Sequence, residues 1–449
     1  MENRKLVVIG GDAAGMTAAS KIRREQPEWE IIVFERGHHT SYAACGIPYY
    51  LAKQVESEEH LVARKPEVFI EKQNIDVRIR HEVTGIDVRN KRVNVKNLEE
   101  GGDFSESWDD LLIATGASPV VPKMQGVDAG GVFGFSTLQS GVDVFNYIEK
   151  NHPAKAVIIG GGYIGIELAE ALLERSMDVS LVDMAPQVMT TMDKDMAGLI
   201  LDFMEKEGVK IFLEEKLTGF EKDTGGKVQT VVTDKQTLPA DLVILGMGVK
   251  PNSELASGAG IELDPGDAIR VNKRLETSVP HIWAGGDCAS SYHLLKNQQV
   301  YVPLGTVANK HGLVAGINIS GGDAVFPGVL GTAITKFREL EISRTGLSEK
   351  EAKDLGLKYK ANTIEAPTLS GYFPGTGKMS LKMVVDDENG RILGGQIVGT
   401  NGAAKRIDTI AAAITANMTA QQLVDMDLSY APPFSPVWDP VQIAARTLV

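Results

Sequence analysis

Near its start the chain reads Leu6-Val-Val-Ile-Gly10-Gly-Asp-Ala-Ala-Gly15-Met-Thr-Ala-Ala-Ser-Lys21-Ile, and this stretch decides the fold. It joins a short apolar strand, a glycine turn and a helical pattern. A second strand, Glu30-Ile-Ile-Val-Phe-Glu35, ends in an acid 20 residues after Gly15. This order predicts a βαβ unit whose turn binds a dinucleotide pyrophosphate and whose acid binds a ribose hydroxyl. The motif departs from its usual form once, because Asp12 replaces the middle glycine.

A second and complete copy of the motif lies about 150 residues later. It reads Ala156-Val-Ile-Ile-Gly160-Gly-Gly162-Tyr-Ile-Gly165-Ile-Glu167, and a strand ending in Asp183 follows. Glycines in such turns let the backbone approach a pyrophosphate, and the helix N-terminus supplies unpaired N–H groups. Because a repeated motif is more specific than one occurrence, the pair predicts two dinucleotide-binding units in one chain.

Length, charge and cysteine content limit the class of protein. A chain of 449 residues is too long for one hydrophobic core, so two or three domains are expected. No apolar run is long enough for a membrane helix, and the first residues lead into a strand and not into a signal peptide, so we expect a cytoplasmic protein without a membrane partner. A net charge of −13 argues against nucleic acid as a partner. Two cysteines without clustered ligands predict neither a disulfide framework nor a metal site.

The rest of the chain adds two strands that run into turns and then changes character. The first leads into Ala114-Thr115-Gly116, and the second is Ile282-Trp-Ala-Gly285-Gly286-Asp287. A loop is predicted around Gly258 and Gly260. From about residue 326 the pattern indicates a separate α+β domain, with strands at 380–386 and 390–399 and a helix at 406–417.

Cys45 is the residue most suggestive of chemistry. It lies in the run Ser41-Tyr-Ala-Ala-Cys45-Gly-Ile-Pro48, soon after the first glycine turn and its acid. A lone thiol close to a bound cofactor would indicate redox chemistry, whereas a buried structural cysteine is the ordinary alternative. The other cysteine, Cys288, directly follows Asp287 and is predicted to be buried and inert.

The order of these motifs resembles the two-dinucleotide-binding flavin disulfide reductases over essentially the whole chain. Within them it is most similar to the single-cysteine branch, which includes coenzyme A disulfide reductase, persulfide or polysulfide reductases, NADH oxidase and NADH peroxidase. Relatives with a Cys-x4-Cys pair would carry a second cysteine where this chain has Tyr50. The peroxidases and oxidases carry a His where this chain has Ala13, which counts against peroxide chemistry. The segments around Tyr372 and Tyr430 resemble coenzyme A disulfide reductase, the first less closely.

The resemblance implies an α/β fold with two Rossmann-like domains and a C-terminal α+β dimerisation domain. The expected boundaries are 1–120 with 250–325 for the FAD-binding domain, 121–249 for the NAD(P)H-binding domain and 326–449 for the dimerisation domain. It also implies a homodimer in which the partner subunit completes the active site. The expected cofactors are FAD and NADH, with NADPH as an alternative, and coenzyme A is the expected substrate or covalent adduct on Cys45.

The resemblance also assigns roles to individual residues. The catalytic group is Cys45, with Tyr372 and Tyr430 from the partner subunit. The residues expected at the FAD are Gly10, Asp12, Ala13, Gly15, Glu35, Arg36, Ala114, Thr115, Gly116 and Asp287. Those expected at the pyridine nucleotide are Gly160, Gly162, Tyr163, Ile164, Gly165, Glu167, Asp183 and Gly248. Those expected at coenzyme A are Thr17, Lys21, Arg24, Ser41 and Asn309.

Several alternatives stay open at this point. Tyr430 could simply pack at a dimer interface, Tyr163 and Glu167 could pack their helix, Lys21 and Arg24 could form a solvated basic face, and Asn309 could cap a helix. The favoured function is NADH-dependent reduction of coenzyme A disulfide or coenzyme A persulfide through Cys45. An NADH oxidase or peroxidase acting on oxygen or peroxide is one alternative. A flavoprotein reductase of a small electron-carrier protein is the other.

Overall fold

The computed structural model describes residues 4–449, which contain two five-stranded sheets of the same design. Every neighbouring pair of strands in both sheets is parallel. In spatial order the first sheet is Ile282–Ala284, Asp110–Ile113, Lys5–Ile9, Glu30–Glu35 and Asp76–Ile79. The second is Lys210–Leu213, Asp178–Asp183, Lys155–Ile159, Leu242–Leu245 and Val132–Gly134. The strand before each glycine turn is central, with its acid-ended strand on one side. The α/β fold with two Rossmann-like sheets is therefore confirmed.

The first sheet is discontinuous in sequence. Its edge strand, Ile282–Ala284, comes after the whole second unit and pairs with Asp110–Ile113. The central strands are buried along most of their length because both faces are covered. The core around this sheet contains Met16 and Val314 from two helices, and Val83, Val93 and Val95 from the antiparallel sheet that begins at His81. The chain therefore leaves the first unit, builds the second and returns.

Antiparallel strands form the remaining sheets. A five-stranded sheet carries the C-terminal part, in the order Ala333–Phe337, Leu340–Gly346, Ile392–Gly399, Lys378–Asp386 and Tyr359–Pro367. Smaller sheets are His81–Asp87 with Arg92–Asn97 and Asp103–Ser107, Leu217–Lys222 with Val228–Thr233 and Thr237–Pro239, Val249–Pro251 with Ala117–Pro119, and Ser291–His293 with Gln298–Val300.

The helices pack against these sheets. The α-helices are Ala13–Glu25, Ile47–Leu51, Pro66–Gln73, Leu138–Asn151, Tyr163–Glu174, Lys194–Lys206, Glu254–Gly258, Gly305–Ile319, Glu349–Asp354, Ile407–Thr415, Ala420–Val424 and Pro440–Arg446. Short 3₁₀ turns occur at Ala44–Gly46, Glu58–Leu61 and Ala404–Arg406. The helix predicted at 406–417 is shorter than expected, and the loop predicted around Gly258 starts later, because a short helix that buries Ala256 precedes it.

The hydrophobic cores show how the units are joined. One core lies around the first parallel sheet and one lies within the C-terminal part. The core of the second unit also contains Ile47 and Leu51 from the helix after Cys45, and Phe337 from the C-terminal sheet. No helix of the described residues is long and apolar enough to cross a membrane.

Candidate active site

The two glycine turns have the same backbone geometry. Gly10 has φ +110° and Gly160 has φ +112°, a region that favours glycine. A Cβ on Gly10 would lie 2.1 Å from the oxygen of Ala114, and one on Gly160 would lie 2.3 Å from the oxygen of Gly246. Each turn is therefore pressed against the residue that follows the neighbouring parallel strand, and the repeat in sequence is also a repeat in structure.

Both helices that follow the turns have open N-termini. The helices begin at Ala13 and Tyr163, and neither N-cap residue, Asp12 or Gly162, makes a side-chain capping hydrogen bond. A Cβ at Gly162 would meet no atom within 4 Å, so space is open in front of the second helix. Helix N–H groups beside open space fit the pyrophosphate of a dinucleotide at the second turn, and the first turn repeats its backbone geometry.

The acids at the strand ends reach back to the turns in the same manner. The Glu35 carboxylate accepts the Gly11 N–H at 2.8 Å, and the Asp183 carboxylate accepts the Gly161 N–H at 2.6 Å. Each acid thus lies beside the turn of its own unit, where a ribose would bind. The side chain after Asp183 is Met184, which is 70% exposed and carries no charge.

Residues predicted at the FAD come together from four separate segments. Thr115 donates to the backbone oxygen of Asn252 at 2.6 Å, and Asn252 returns a hydrogen bond to the Thr115 oxygen at 2.8 Å. Arg36 contacts Ser118 at 3.4 Å in the same network. Gly116 has φ +66°, as a turn at this place requires. Asn252 was not singled out from the sequence, because an asparagine in a loop carries no distinguishing signal.

Asp287 lies close to the first turn. Burial raises the pKa of its carboxyl to about 6. His311, which the sequence analysis did not select, accepts the Gly286 N–H at 3.3 Å on Nδ1 and contacts the Ser291 hydroxyl at 3.3 Å through Nε2. The His311 side chain is fully buried, and burial lowers its pKa to about 4. A neutral His311 therefore holds the loop that presents Asp287.

The Cys45 segment connects the two nucleotide-binding units. At its start the Ser41 N–H donates to the Gly11 oxygen at 3.1 Å and the Tyr42 N–H donates to the Asp12 carboxylate at 3.1 Å. After Cys45 the helix Ile47–Leu51 is buried against the second unit. The thiol therefore lies at the junction of the units and is exposed in the single chain.

The surroundings of Cys45 disfavour its thiolate. Partial burial raises the pKa of the thiol, and the carboxylates of Glu167, Asp287 and Asp12 act in the same direction. Tyr49, four residues after Cys45, is a neighbour of this group. Burial and the charge of Glu167 are the main causes that raise the Tyr49 pKa to about 12. Charges from both nucleotide-binding units thus converge on one sulfur atom.

Glu167 is the residue of the second unit whose charge acts on Cys45. Its carboxylate accepts the Thr335 hydroxyl at 2.7 Å, and burial raises its pKa. Tyr163 is half-buried at the start of the same helix, and burial raises the pKa of its phenol. Ile164 packs against the second core, and Gly248 has φ +87°. Thr335 comes from the C-terminal sheet, so sequence distance concealed its role.

The residues predicted to bind coenzyme A are partly assembled. Thr17 donates to the Asn309 side chain at 3.1 Å, which joins the first helix to Gly305–Ile319. Asn309 lies inside its helix and donates to the Gly305 oxygen at 2.9 Å, so the alternative role as a helix cap is wrong. Lys21 pairs with Glu25 at 2.6 Å.

The two other residues predicted to bind coenzyme A are placed differently. Arg24 is exposed on the first helix. Ser41 adopts a left-handed conformation with φ +48°. Arg24 is therefore open to a ligand from solvent, whereas Ser41 lies at the start of the Cys45 segment.

Tyr372 and Tyr430 lie together on the surface of the C-terminal part. A hydrogen bond with Tyr430 raises the pKa of the Tyr372 phenol. Their exposed fractions are 77% and 45%, and the exposed apolar side chains Phe434, Val437 and Trp438 follow Tyr430 closely in sequence. Neither tyrosine is among the groups that shift the pKa of Cys45 within one chain; the charged groups that do so are Glu167, Asp287 and Asp12.

Cys288 and Cys45 are both free thiols, one buried and one exposed. Cys288 is fully buried, and its sulfur contacts the oxygens of Ile113 and Gly285 at 3.4 Å. Tyr50, at the fifth position after Cys45, is buried and stacks on Phe145 at 4.6 Å. Within residues 4–449, no group of three or more metal-ligating side chains is assembled.

Comparisons with known proteins agree with this geometry. Residues 4–312 match the family described as pyridine nucleotide-disulphide oxidoreductase, and residues 332–440 match the dimerisation domain of that family. The chain is 43% identical to a protein of Pyrococcus furiosus named NAD(P)H sulfur oxidoreductase (CoA-dependent), over 100% of both chains. It is 37% identical to a protein of Methanocaldococcus jannaschii named NADH oxidase, over 98% of both chains.

A solved structure shows the same architecture. The NAD-dependent persulfide reductase from A. fulgidus has a TM-score of 0.95 and 37% identity, covering 99% of this chain and 82% of that one. Paired glycine turns, an acid beside each turn and a cysteine between the units agree with these matches. The chain therefore belongs to the pyridine nucleotide-disulphide oxidoreductase family.

Proposed function

We propose that the protein is an FAD-dependent enzyme that uses NADH to reduce coenzyme A disulfide or coenzyme A persulfide through Cys45. The observation that carries this proposal is the position of the Cys45 thiol. It lies where the charges of Asp287 from the first unit and Glu167 from the second unit both act. NADH would bring electrons to the second unit, and FAD is assigned to the first unit. A sulfur at the junction of the two units is placed to receive those electrons.

FAD, when bound at the first turn, would supply the conversion of two-electron hydride chemistry into thiol chemistry. Around it Gly10, Gly15 and the N-terminus of the helix from Ala13 would hold the pyrophosphate, and Glu35 the ribose. Asp287 would hold the chain between the diphosphate and the ring. At the second turn Gly160, Gly162 and Gly165 would hold NADH, with Asp183 on its ribose and Tyr163, Ile164, Glu167 and Gly248 near the nicotinamide. The open N-termini and the buried carboxyl of Asp287 support this assignment.

Cys45 would react by thiol–disulfide exchange. Its thiolate attacks one sulfur of coenzyme A disulfide, so a bond forms between Cys45 and one coenzyme A and the other coenzyme A leaves as a thiolate. Two electrons and one proton, supplied by NADH and solvent, then cleave the mixed disulfide and regenerate the Cys45 thiolate. One NADH and one proton thus convert coenzyme A disulfide into two coenzyme A thiols.

The groups that surround Cys45 within one chain disfavour its thiolate. Burial and three carboxylates raise the pKa of Cys45, while the thiolate is the nucleophile. We propose that a second copy of the chain brings Tyr372 and Tyr430 to this sulfur as hydrogen-bond donors. Their exposure beside Phe434, Val437 and Trp438 supports a homodimer, because exposed apolar patches of this kind mark interaction surfaces. The dimerisation domain identified at residues 332–440 carries both tyrosines.

Coenzyme A would bind along the first helix. Arg24 and Lys21, with Thr17 and Ser41, would hold its nucleotide end and phosphates, and Asn309 would lie near the flavin and the thiol. The contact of Thr17 with Asn309 supports a shared site. The Lys21–Glu25 ion pair would open to free the ammonium group.

Three finer points belong to the same proposal. NADH is preferred over NADPH because Asp183 occupies the ribose position and Met184 offers no positive charge. The domain boundaries of 1–120 with 250–325, 121–249 and 326–449 are supported by the return of Ile282–Ala284 to the first sheet. A cytoplasmic location stays a prediction.

The test is steady-state NADH oxidation with coenzyme A disulfide, with coenzyme A persulfide and with air alone. Cys45→Ser should abolish turnover of both sulfur substrates, whereas Cys288→Ala, at the buried cysteine, should retain it. Mass spectrometry of the non-reduced protein should find coenzyme A on Cys45. Rapid oxidation of NADH in air that survives Cys45→Ser would contradict the thiol mechanism.

A second candidate is an NADH oxidase that uses oxygen. The name of the Methanocaldococcus jannaschii relative favours it, and Ala13, in place of a histidine, does not support it. Delivery of electrons to a small carrier protein stays a further prediction. Electron transfer to rubredoxin or ferredoxin that is unchanged in Cys45→Ser would favour that function over sulfur reduction.

A further inference from the structure

Asp12 is the one position where the two glycine turns differ in their motif. The matching Gly162 has φ −83° and open space around its Cβ, and Asp12 has φ −110°. Both values are available to any residue, so the backbone does not demand glycine at either place. The carboxylate of Asp12 is therefore tolerated sterically, and its contacts decide what it does.

The Asp12 side chain reaches toward the Cys45 segment. Its Oδ1 accepts the Tyr42 N–H at 3.1 Å, three residues before the thiol. The neighbouring Ser41 N–H donates to the Gly11 backbone oxygen at 3.1 Å. Ser41 has φ +48°, which is unfavourable for a residue with a Cβ and persists only where surrounding contacts hold it. The entry to the Cys45 segment is thus a strained turn tied to the first glycine turn by two adjacent amides.

Only one of these two ties depends on a side chain. The Gly11 oxygen is present whatever residue stands at position 12, whereas the acceptor for Tyr42 is supplied by Asp12 alone. We infer that Asp12 is a positioning residue for Cys45, which holds the segment before the thiol against the first glycine turn through the Tyr42 N–H. This inference rests on the proposed function in one respect, because it gives the position of Cys45 a catalytic purpose.

The charge of Asp12 adds a second effect. Burial, the charge of Glu35 and the charge of Asp287 raise the pKa of Asp12 to about 7. Asp12 in turn acts with Glu167 and Asp287 to raise the pKa of the Cys45 thiol. The diphosphate of bound FAD would push the Asp12 pKa further upward, since two negative groups would then be adjacent. Protonated Asp12 keeps its hydrogen bond to Tyr42 and no longer opposes the thiolate.

Two substitutions separate the hydrogen bond from the charge. Asp12→Asn keeps an acceptor oxygen and removes the charge, whereas Asp12→Gly restores the usual motif and removes both. The holoenzyme variants are reduced to free Cys45 of any coenzyme A, separated from the reductant, and compared at equal FAD content, measured by flavin absorbance. Two readouts are used: hydrogen exchange of single amides, and alkylation of Cys45 by iodoacetamide as a function of pH, followed on the Cys45 peptide by mass spectrometry.

The exchange experiment tests the hydrogen bond. The Tyr42 amide should exchange at least about tenfold faster in Asp12→Gly than in the wild type. In Asp12→Asn its exchange rate should equal that of the wild type. The Ser41 amide is the internal control and should keep its protection in both variants. The inference is overturned if Tyr42 exchange in Asp12→Gly equals that of the wild type, or if the Tyr42 and Ser41 amides accelerate together.

The alkylation experiment tests the charge. Asp12→Asn and the wild type should react at the same rate well below pH 7, where Asp12 is protonated. Above the Asp12 pKa the variant should react about twofold faster or more, because the thiolate no longer faces that carboxylate. Equal rates at every pH would refute the electrostatic effect. If Asp12→Gly does not fold, Asp12→Ala, which also removes both the acceptor and the charge, takes its place in the exchange experiment.

The result is separable from the proposed function. Both readouts are made without a sulfur substrate. If Cys45→Ser retained turnover while the Asp12 variants behaved as expected, the proposed function would fail and the positioning role would stand. If the Asp12 variants matched the wild type while Cys45→Ser lost turnover, the opposite conclusion would hold.

Discussion

Two glycines of the second turn should respond to the same substitution in opposite ways. A Cβ on Gly165 would lie 1.9 Å from the backbone oxygen of Gly160, whereas a Cβ on Gly162 would meet no atom within 4 Å. Real Cβ atoms essentially never lie closer than 3.0 Å to another heavy atom, so the Gly165 Cβ and the Gly160 oxygen must move apart by about 1.1 Å. Gly160 is held at φ +112°, so the helix and not the turn must move.

Gly165→Ala should therefore destabilise the second unit. Forcing a methyl group into a packed contact costs about 1–3 kcal/mol, which corresponds to a drop of about 5 °C in the thermal unfolding midpoint. Gly162→Ala should change the free energy of unfolding by about 1 kcal/mol or less, since its φ suits alanine. Its methyl group would occupy the space assigned to the NADH pyrophosphate, so the Kd for NADH should rise about tenfold or more, equivalent to 1.4 kcal/mol.

The assays are thermal unfolding by circular dichroism, NADH titration of the oxidised enzyme and FAD content by absorbance. Both variants should retain FAD, and Gly15→Ala in the first turn is the matched control that should lose it. The reasoning is refuted if Gly162→Ala binds NADH like the wild type, or if Gly165→Ala unfolds at the wild-type temperature.

Three further predictions concern other parts of the molecule. Arg344→Met should lower the free energy of unfolding by about 2–4 kcal/mol, because the buried guanidinium donates to two backbone oxygens and a carboxylate. The measurement is chemical denaturation, in which the control Lys350→Met, at an exposed ion pair, should stay within about 0.5 kcal/mol of the wild type. Equal effects of the two substitutions would contradict the prediction. Burial lowers the His311 pKa to about 4 from its ordinary 6.5, so the folded state binds a proton less readily than the unfolded chain. The free energy of unfolding of the wild type, relative to that of His311→Gln, should therefore fall by about 1–3 kcal/mol as the pH falls from 6.5 to 4. If the two proteins lost stability in parallel over this pH range, the prediction would be wrong. Asp183→Ser combined with Met184→Arg should raise kcat/KM for NADPH relative to NADH about tenfold, and an unchanged ratio in steady-state kinetics would remove Asp183 from the ribose site.

The sequence alone was enough for the architecture of the nucleotide-binding units. Strand, glycine turn, helix and acid are local features, and their physical causes lie within about 30 residues of each other. The strand Glu30–Glu35 therefore has the bounds expected from its residues. The duplicated motif also predicted that Gly10 and Gly160 would share one geometry, because the same short-range contacts shape both turns.

The assembly of the site was decided by tertiary structure. His311, Thr335 and Asn252 reach the site from a helix, a strand and a loop that are distant in sequence, and no local pattern marks them. The sequence showed Asp12 as a departure from a motif, and only folding places its carboxylate on the Tyr42 N–H. Cys45 was visible as a lone thiol after a dinucleotide-binding turn. Its position between the two units arises because the helix that follows it is buried in the second unit, and such long-range packing is not written in any short stretch of sequence.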